Sequence, residues 1–479
     1  MKDNNFPQNL TPDMVTGITS FNLCTFLVGL EGWRRGLRLK YHNRLNGEID
    51  FGPKRLSYFG RLYSLSDEES THYFYQSRGD TTTRKAVNIA KDKVLTKSYL
   101  KQYNIPILES FNFSKDHSDQ EIINKAEKIG YPVIVKPTNS SLSKGVVVNI
   151  TNKSHLENSL VEVRQNLGYK SIILEKYFHG DDIRTYVIDG KIVAGLKRVP
   201  AKVTGDGNST IRELIKLKND SRKNNPYLNA RPIKINNETI SVLKKQGYSI
   251  DDNLEKSKTI LVKNKSTLTQ GVDLYDITEE LTDEVKEIAL STIDAIPGML
   301  HASIDMLTDG KDTYVLEVNS SANISMHMFP TEGKPRNVPA FLVDYYFPKS
   351  IPDRNNNQNM SFNYLDMVKT LRMNYTDFIE IRSLKNEAIT AKSITIKATG
   401  LDNAFQNFIK RKALYRELHG NIKKIDDNTI RVIVASYKDS DIERFISEIK
   451  KYNKTGITIN SFKTDEWEKS ISIGFTIKD

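Results

Sequence analysis

The sequence predicts a multidomain protein of mixed α/β and α+β fold, and three observations support this class. At 479 residues, of which 38% are hydrophobic, the chain is long enough for about three domains with cores of their own. In its middle, β-rich runs alternate with helical segments, and two pairs of runs are joined by Asp-Gly turns typical of β-hairpins. Residues 391–479 read strand, helix, two strands, helix, two strands, which predicts two helices packed on an antiparallel sheet.

In chain order, the patterns divide the sequence into four segments. Residues 1–90 are expected to form an N-terminal α/β domain, because an apolar helical segment is followed there by an extended one. Residues 91–350 form a central domain of alternating strands and helices, interrupted over 206–265 by an insertion with two helical stretches. Residues 351–390 begin polar and without periodicity, which predicts a linker before the C-terminal sandwich of 391–479.

Composition narrows the class of function. A single cysteine, Cys24, excludes an internal disulfide framework and a cysteine-based zinc site. The amino terminus has no apolar signal region and the apolar runs are too short to span a bilayer, so we expect a cytoplasmic protein without membrane contact. The net charge is +11, and the basic residues are scattered among acidic ones rather than grouped in one run. The resulting broad positive potential favours binding of anionic small molecules such as ATP over binding of nucleic acid.

A candidate site for a hard cation lies in the second predicted hairpin, HASIDMLTDGKDTYVLEVN. Glu317 and Asn319 are two residues apart and therefore share one face of a strand, and Asp305 lies opposite Glu317 on the partner strand. Three oxygen donors on one face suit Mg²⁺, with Mn²⁺ as an alternative, and a cation that bridges them to phosphates relieves their mutual repulsion. The competing interpretation is a strand end that reaches solvent.

Three lysines are candidates to contact the phosphates of a nucleotide. Lys136 ends the β-rich run VIVKP, Lys93 begins a helix in DKVLTK, and Lys144 lies in the loop TNSSLSKG. A single lysine is usually a solvated surface residue, so only the three lysines taken together indicate a phosphate site.

The segment ILEKYFHGDDIR ends a strand in polar residues and is a candidate nucleoside site. Backbone groups from Glu175 through Lys176 to Phe178 are expected to contact an adenine edge, and Asp182 to accept hydrogen bonds from ribose hydroxyls.

These segments occur in the order and approximate spacing of the ATP-grasp ligases, which the chain resembles over residues 91–350. The motifs GDGNSTIRELI, KQGYSID and VLEVNSSANISMHMFPTEGKPRNV are most similar to the ligase half of cyanophycin synthetases and the ligase module of bifunctional glutathione synthetases. The resemblance implies an ATP-grasp fold and supports the nucleotide and metal residues named above. It departs from the family where serines replace glycines in TNSSLSKG, and where Ala322-Asn323 replaces Pro-Gly.

The resemblance also assigns residues that the patterns alone do not. It implies that Lys144 and Gly145 belong to a loop covering the phosphates, that Lys197 and Arg198 face the transferring phosphate, and that Arg184 contacts the acceptor or the reacting phosphate. A planar guanidinium can bind two oxygens at once, which suits the two arginines to these roles. His327 lies beside Met326 and Met328, and packing is expected for it rather than substrate orientation.

The implied activity is that of a carboxylate–amine ligase of class EC 6.3. ATP phosphorylates a carboxylate, an amine displaces phosphate from the acyl phosphate, and a covering loop keeps water out. Its expected partners are a small-molecule carboxylate and an amine, and a homodimer is compatible with the sequence. The alternatives are a phosphotransferase that stops at a phosphorylated product, and a non-catalytic nucleotide-binding regulator.

The C-terminal segment resembles an acylphosphatase, a ferredoxin-like α/β sandwich. In that family an arginine at the start of the first helix and an asparagine on the second strand bind the acyl phosphate, and the corresponding positions here are Gln406 and Lys424. The resemblance therefore implies the fold without the activity, with dimerisation or amino-acid binding as alternative roles.

We predict that purified residues 386–479 leave acetyl phosphate or benzoyl phosphate at its spontaneous rate of hydrolysis. Neutral Gln406 cannot supply the positive charge that the phosphate needs. The measurement is the loss of acyl phosphate over time with and without protein. Rapid hydrolysis that disappears in Lys410→Ala or Arg411→Ala would show instead that the first helix supplies the charge one turn later.

Overall fold

The computed structural model describes residues 6–44, 59–138, 145–264, 271–352, 358–385, 387–452 and 456–478. The chain forms two compact units. The central unit contains Ser77–Phe341, and the flanking unit contains Phe6–Gln76 and Leu342–Asp479. A multidomain α/β architecture is thus confirmed. Among the helices of the described residues, none is both long and apolar enough to cross a membrane.

The amino-terminal part of the flanking unit follows the prediction of a buried helix and a strand. Its elements are α1 (Pro12–Val15), α2 (Ser20–Arg34), β1 (Arg38–His42), β2 (Leu62–Ser66) and β3 (Thr71–Tyr75). Helix α2 ends just before Gly36, whose φ of +87° is a conformation that glycine adopts without strain.

The first half of the central unit contains a four-stranded antiparallel sheet, called sheet I, in the order β5-β8-β6-β7. One face of sheet I packs its apolar side chains against α5 and α6. The elements of this half are β4 (Arg78–Gly79), α3 (Arg84–Lys91), α4 (Lys93–Gln102), β5 (Ser110–Phe113), α5 (Asp119–Ile129), β6 (Val133–Pro137), β7 (Val147–Ile150), α6 (Lys153–Leu160), a π-helical turn (Val161–Asn166) and β8 (Ile172–Lys176).

The second half of the central unit contains a five-stranded antiparallel sheet, called sheet II, in the order β13-β10-β9-β14-β15. Both predicted hairpins, β9–β10 and β14–β15, are present. The elements are β9 (Asp181–Ile188), β10 (Lys191–Val199), β11 (Lys202–Thr204), α7 (Ile211–Arg222), α8 (Asn237–Lys245), β12 (Thr259–Leu261), β13 (Asp273–Asp276), α9 (Asp283–Asp294), β14 (His301–Thr308), β15 (Thr313–Asn319) and α10 (Ser325–Met328).

The two faces of sheet II differ in chemistry because side chains alternate along each strand. Ile183, Val187, Ile304 and Val318 point to one face and form a core with α3, α4 and α9. Their neighbours in sequence point to the other face, which is rich in charged and hydroxyl side chains. We call it the polar face; its members used below are Asp182, Arg184, Tyr186, Arg198, Asp276, Ser303, Asp305, Glu317 and Asn319.

The predicted insertion forms a small layer with its own hydrophobic core, built from α7, α8, β11 and β12. A buried charge cluster ties it to sheet II. Asp273 on β13 accepts from Arg222 Nη2 at 2.6 Å and from Lys218 Nζ at 2.6 Å. The insertion therefore supports the edge of the sheet that carries the polar face.

The remainder of the chain belongs mainly to the flanking unit. Its elements are α11 (Val338–Tyr346), β16 (Met360–Ser361), α12 (Tyr364–Arg372), β17 (Phe378–Ile381), β18 (Thr390–Thr399), α13 (Asn403–Tyr415), β19 (His419–Asp426), β20 (Thr429–Ser436), α14 (Asp439–Lys450), β21 (Thr458–Glu466), β22 (Ile471–Ser472) and β23 (Phe475–Lys478). Within the stretch expected as a linker, β17 pairs with β1 over Leu39↔Ile381, and the strands lie in the order β17-β1-β2-β3.

The C-terminal sandwich has the predicted order of elements around one core. Its sheet runs β21-β18-β20-β19-β23. One detail differs from the expectation of a wholly antiparallel sheet, because β19 and β23 pair in parallel. Gln406 is buried on α13, and Lys424 Nζ lies 2.7 Å from Asp427 Oδ1, so neither supplies a free positive charge at the positions compared.

Candidate active site

Sheet I contributes a buried charge cluster on the face opposite its apolar core. Glu175 on β8 is 1% exposed and sits between two lysines. Lys136 Nζ on β6 lies 2.7 Å from Glu175 Oε2, and Lys97 Nζ on α4 pairs with Glu175 Oε1. Burial alone would raise the pKa of Glu175, but the two ammonium groups hold it below its ordinary value. The cluster carries two positive charges and one negative charge, so it leaves one positive charge for a ligand.

Lys97 is a site residue that the sequence interpretation missed. Asp92 caps α4 by accepting from the backbone of Val94 and Leu95, which places Lys93 in the first turn and Lys97 one turn later. Lys97 also donates to Ser110 Oγ at 2.9 Å. Burial lowers the pKa of Lys97, and Glu175 opposes that shift. The four-residue spacing in DKVLTK, which places both lysines on one side of a helix, was the available signal.

The segment expected to contact adenine leaves one backbone donor unused. The Lys176 amide donates to Glu109 O at 2.9 Å, and its side chain donates to Gly130 O at 2.8 Å. The Phe178 amide makes no hydrogen bond to any described residue, and its ring stands edge-on to Tyr314 with centroids 4.9 Å apart. The side chains of Glu175 and Lys176 are thus engaged within the protein, whereas Phe178 offers an N–H group.

The polar face of sheet II contains a ladder of alternating charges. Arg184 binds both carboxylate oxygens of Asp305, with Nη2 2.6 Å from Oδ2. Arg198 Nη2 lies 2.5 Å from Asp182 Oδ1 and 3.4 Å from Asp305 Oδ2. Burial disfavours the charged form of Asp305, yet the two guanidinium groups hold its pKa below its ordinary value. Burial alone would lower the pKa of Arg198, but the carboxylates of Asp305 and Asp182 raise it above its ordinary value.

Glu317 and Asn319 lie beside this ladder without joining it. Register pairs Asp305 with Glu317 and Ser303 with Asn319, so the predicted convergence of three oxygen-bearing side chains is present. Within the described residues, the Glu317 carboxylate forms no ion pair or hydrogen bond. The Asn319 Nδ2 atom is buried and has no partner there. A carboxylate without a cation next to a carboxamide fits Mg²⁺, which prefers oxygen ligands. A second carboxylate, that of Asp305, lies opposite Glu317 on the neighbouring strand.

Two other residues assigned by resemblance have different surroundings. Lys197 precedes Arg198 on β10 and therefore points to the opposite face, where its Nζ lies 2.6 Å from Asp181 Oδ2. The structure does not bring it to the polar face. Lys144 lies outside the described residues. Gly145 has φ +73°, and a Cβ there would lie 2.9 Å from the Pro137 ring, so the position accommodates only glycine without strain.

The segment after β15 covers the polar face. Arg184 Nη1 lies 3.5 Å from Met326 Sδ, which places α10 over the arginine ladder. Farther along, Arg336 binds Asp276 on β13 with Nη2 2.6 Å from Oδ2, and the Arg336 amide donates to His327 O at 2.9 Å. These contacts hold His327 against the sheet.

Two families of known proteins match parts of the chain. Residues 90–211 match the family described as the RimK-like ATP-grasp domain, and residues 403–477 match the acylphosphatase family. The prediction of an ATP-grasp fold followed by an acylphosphatase-like domain is confirmed.

Individual relatives align with this chain over more residues than the family match covers. Cyanophycin synthetase from Synechocystis sp. is 32% identical over 277 residues, which cover 56% of this chain and 31% of that protein. The glutathione biosynthesis bifunctional protein GshAB from Listeria monocytogenes is 29% identical over 344 residues, 69% of this chain and 42% of that protein. A bifunctional glutathione synthetase from Pasteurella multocida has a TM-score of 0.48 at 22% identity, over 60% of this chain and 41% of that one. The chain thus spans less than half of each relative.

We predict that Lys97→Met lowers the free energy of unfolding by about 2 kcal/mol. Removing one cation from a buried cluster leaves the Glu175 carboxylate only partly compensated, although Lys136 remains. Lys101→Met is the matched control, because Lys101 is an exposed lysine on the same helix and its loss should change stability by less than about 0.5 kcal/mol. Urea denaturation measures both. Equal losses in the two variants would contradict the buried role of Lys97.

Proposed function

We propose that the chain is an ATP-dependent ligase that joins a carboxylate to an amine through an acyl phosphate and releases ADP and phosphate. The observation that carries this proposal is the isolated pair Glu317 and Asn319 beside a ladder of two arginines. Oxygen ligands for a cation and guanidinium groups for phosphoryl oxygens are two of the three requirements of phosphoryl transfer to a carboxylate. The charge cluster of sheet I supplies the third, a positive site for the remaining phosphates.

Binding of ATP is assigned to both sheets of the ATP-grasp domain. Lys136 and Lys93 are proposed phosphate contacts, with Lys97 holding the Glu175–Lys136 pair in place. The Phe178 amide is the proposed donor to adenine, and Asp182, whose Oδ1 accepts from Arg198, is the proposed contact of the ribose hydroxyls. We propose Glu317, Asn319 and Asp305 as the ligands of Mg²⁺, which when bound neutralises charge on the phosphates.

The proposed reaction has two steps. A carboxylate oxygen of the first substrate attacks the γ-phosphorus of ATP, the bond from phosphorus to the ADP oxygen breaks, and an acyl phosphate forms. The amine of the second substrate then attacks the acyl carbon, the bond to phosphate breaks, and the amine loses a proton to give the amide. Arg184 and Arg198 are placed to bind the oxygens on which negative charge accumulates.

The substrate class follows from resemblance. The relatives are named for the synthesis of cyanophycin and glutathione, and this chain spans less than half of each. We propose amino acids or peptides as the source of both carboxylate and amine. A phosphotransferase is the alternative, and it would release ADP without an amine and without producing inorganic phosphate.

We predict that Glu317→Gln lowers the rate of ADP formation at least about a hundredfold, because it removes a charged cation ligand that acts on the transition state. Asp312→Asn is the matched control: this exposed carboxylate lies at the turn between the same two strands, and its loss should leave the rate unchanged. ADP release is measured in the presence of Mg²⁺ and pairs of amino acids or dipeptides, with the mass of any product.

Two results would count against the proposal. Near-normal Mg²⁺-dependent ADP formation by Glu317→Gln would remove that residue from the metal site. ADP release that needs no amine in any pair, accompanied by a phosphorylated product, would favour the phosphotransferase.

A further inference from the structure

Three buried polar side chains on or against the polar face have no hydrogen-bond partner among the described residues. They are Ser303 through Oγ, Asn319 through Nδ2, and His327 through both ring nitrogens. Ser303 is fully buried and His327 is 1% exposed. A buried polar group without a partner destabilises the folded state, so three together are unfavourable unless something binds there.

The three side chains lie in one neighbourhood, around Tyr186. Ser303 and Asn319 are direct cross-strand partners, and Ser303 is also registered with Tyr186 on β9. The His327 ring lies 6.3 Å from the Tyr186 ring between centroids. Arg184 is one side-chain repeat, about 7 Å, along β9 from Tyr186.

Each of the three side chains can donate a hydrogen bond. Asn319 Nδ2 carries two N–H groups, Ser303 an O–H, and a neutral imidazole one N–H. Burial and the nearby Arg184 charge lower the pKa of His327 to about 3, so the ring is neutral at physiological pH. The nearest acceptor to Arg184 Nη1 is the weak sulfur of Met326 at 3.5 Å. Together with Arg184 these side chains form a set of donors that fits an anion with several oxygen atoms. The carboxylates of Asp305 and Glu317 lie one side-chain repeat away on the same face, where Arg184 binds the first and the proposed Mg²⁺ would offset the second.

We propose that Ser303, Asn319, His327 and the Nη1 arm of Arg184 bind the substrate carboxylate that is to be phosphorylated. This inference rests on the proposed ligase function and names the residues that hold one of its substrates. Asn319 links the two sites, because its Oδ1 is the proposed metal ligand and its Nδ2 faces the carboxylate. The attacking oxygen is thereby placed next to the phosphate that the cation holds.

Thr185 provides an internal comparison. Its hydroxyl is also buried and without a partner among the described residues, but Thr185 lies between Arg184 and Tyr186 and therefore points to the apolar face. Its replacement by valine keeps the shape of the side chain and removes the unpaired hydroxyl. The pair Ser303→Ala and Thr185→Val therefore separates loss of a binding group from loss of any buried hydroxyl.

The test uses the full chain and acetate as a minimal carboxylate, with acetamide as its neutral counterpart. Histidine-selective isotope labelling gives eight imidazole signals, and His327→Gln identifies the one of interest. Acetate should shift the His327 signal saturably, and acetamide should not. Ser303→Ala should weaken the apparent acetate affinity about fivefold or more, as expected for one lost hydrogen bond, whereas Thr185→Val should leave it unchanged.

The outcomes are distinct from those of the ligase proposal. The titration is run with and without Mg²⁺ and the non-hydrolysable analogue AMPPNP, whose binding is measured separately by calorimetry. Binding of AMPPNP without any saturable effect of acetate overturns the carboxylate site and leaves the nucleotide site standing. Equal weakening in Ser303→Ala and Thr185→Val, or equal effects of acetate and acetamide, also overturns it. A saturable acetate effect in a protein that binds no AMPPNP supports the anion site and contradicts the ligase.

Discussion

The alternation of side chains along the strands of sheet II is the constraint on which the proposed chemistry depends. Because one face is committed to the hydrophobic core, every charged residue of β9, β14 and β15 named in the site is forced to the other face. Two arginines and two aspartates there satisfy one another. Among the described residues the Glu317 carboxylate has no such partner, and a carboxylate without a cation beside a carboxamide is a candidate cation site.

The two sheets of the ATP-grasp domain have opposite surplus charges. In sheet I, Lys97 and Lys136 against Glu175 leave a surplus of one positive charge, two minus one. On the polar face, four carboxylates are balanced by three arginines, which leaves one negative charge, three minus four. The carboxylates are those of Asp182, Asp276, Asp305 and Glu317, and the arginines are Arg184, Arg198 and Arg336. Phosphates are favoured at the first site and a cation at the second. A complex of a nucleotide with a divalent cation satisfies both surpluses.

Local sequence rules predicted the parts of the site that depend on one hairpin. The i, i+2 spacing of Glu317 and Asn319, and the turn that sets Asp305 opposite Glu317, were sufficient. The sequence could not predict the pairing of Arg184 with Asp305, because these residues are 121 positions apart and meet only where β9 lies next to β14. Two features were accessible from the sequence in principle. Adjacent residues of a strand, such as Lys197 and Arg198, point to opposite faces, and Lys97 follows Lys93 by one helical turn. Residues 351–390 were predicted to be a linker because the segment begins with polar residues, but the short elements β16, α12 and β17 follow that polar beginning.

The central claim is that the side-chain oxygens of Glu317 and Asn319 bind the divalent cation of the nucleotide. The most direct measurement is anomalous diffraction from crystals grown with Mn²⁺ and AMPPNP. The account predicts a manganese peak about 2.1 Å from a Glu317 carboxylate oxygen and from Asn319 Oδ1, with the nucleotide phosphates completing the ligand set. A nucleotide bound with its manganese peak elsewhere, and Glu317 without a cation, would contradict it.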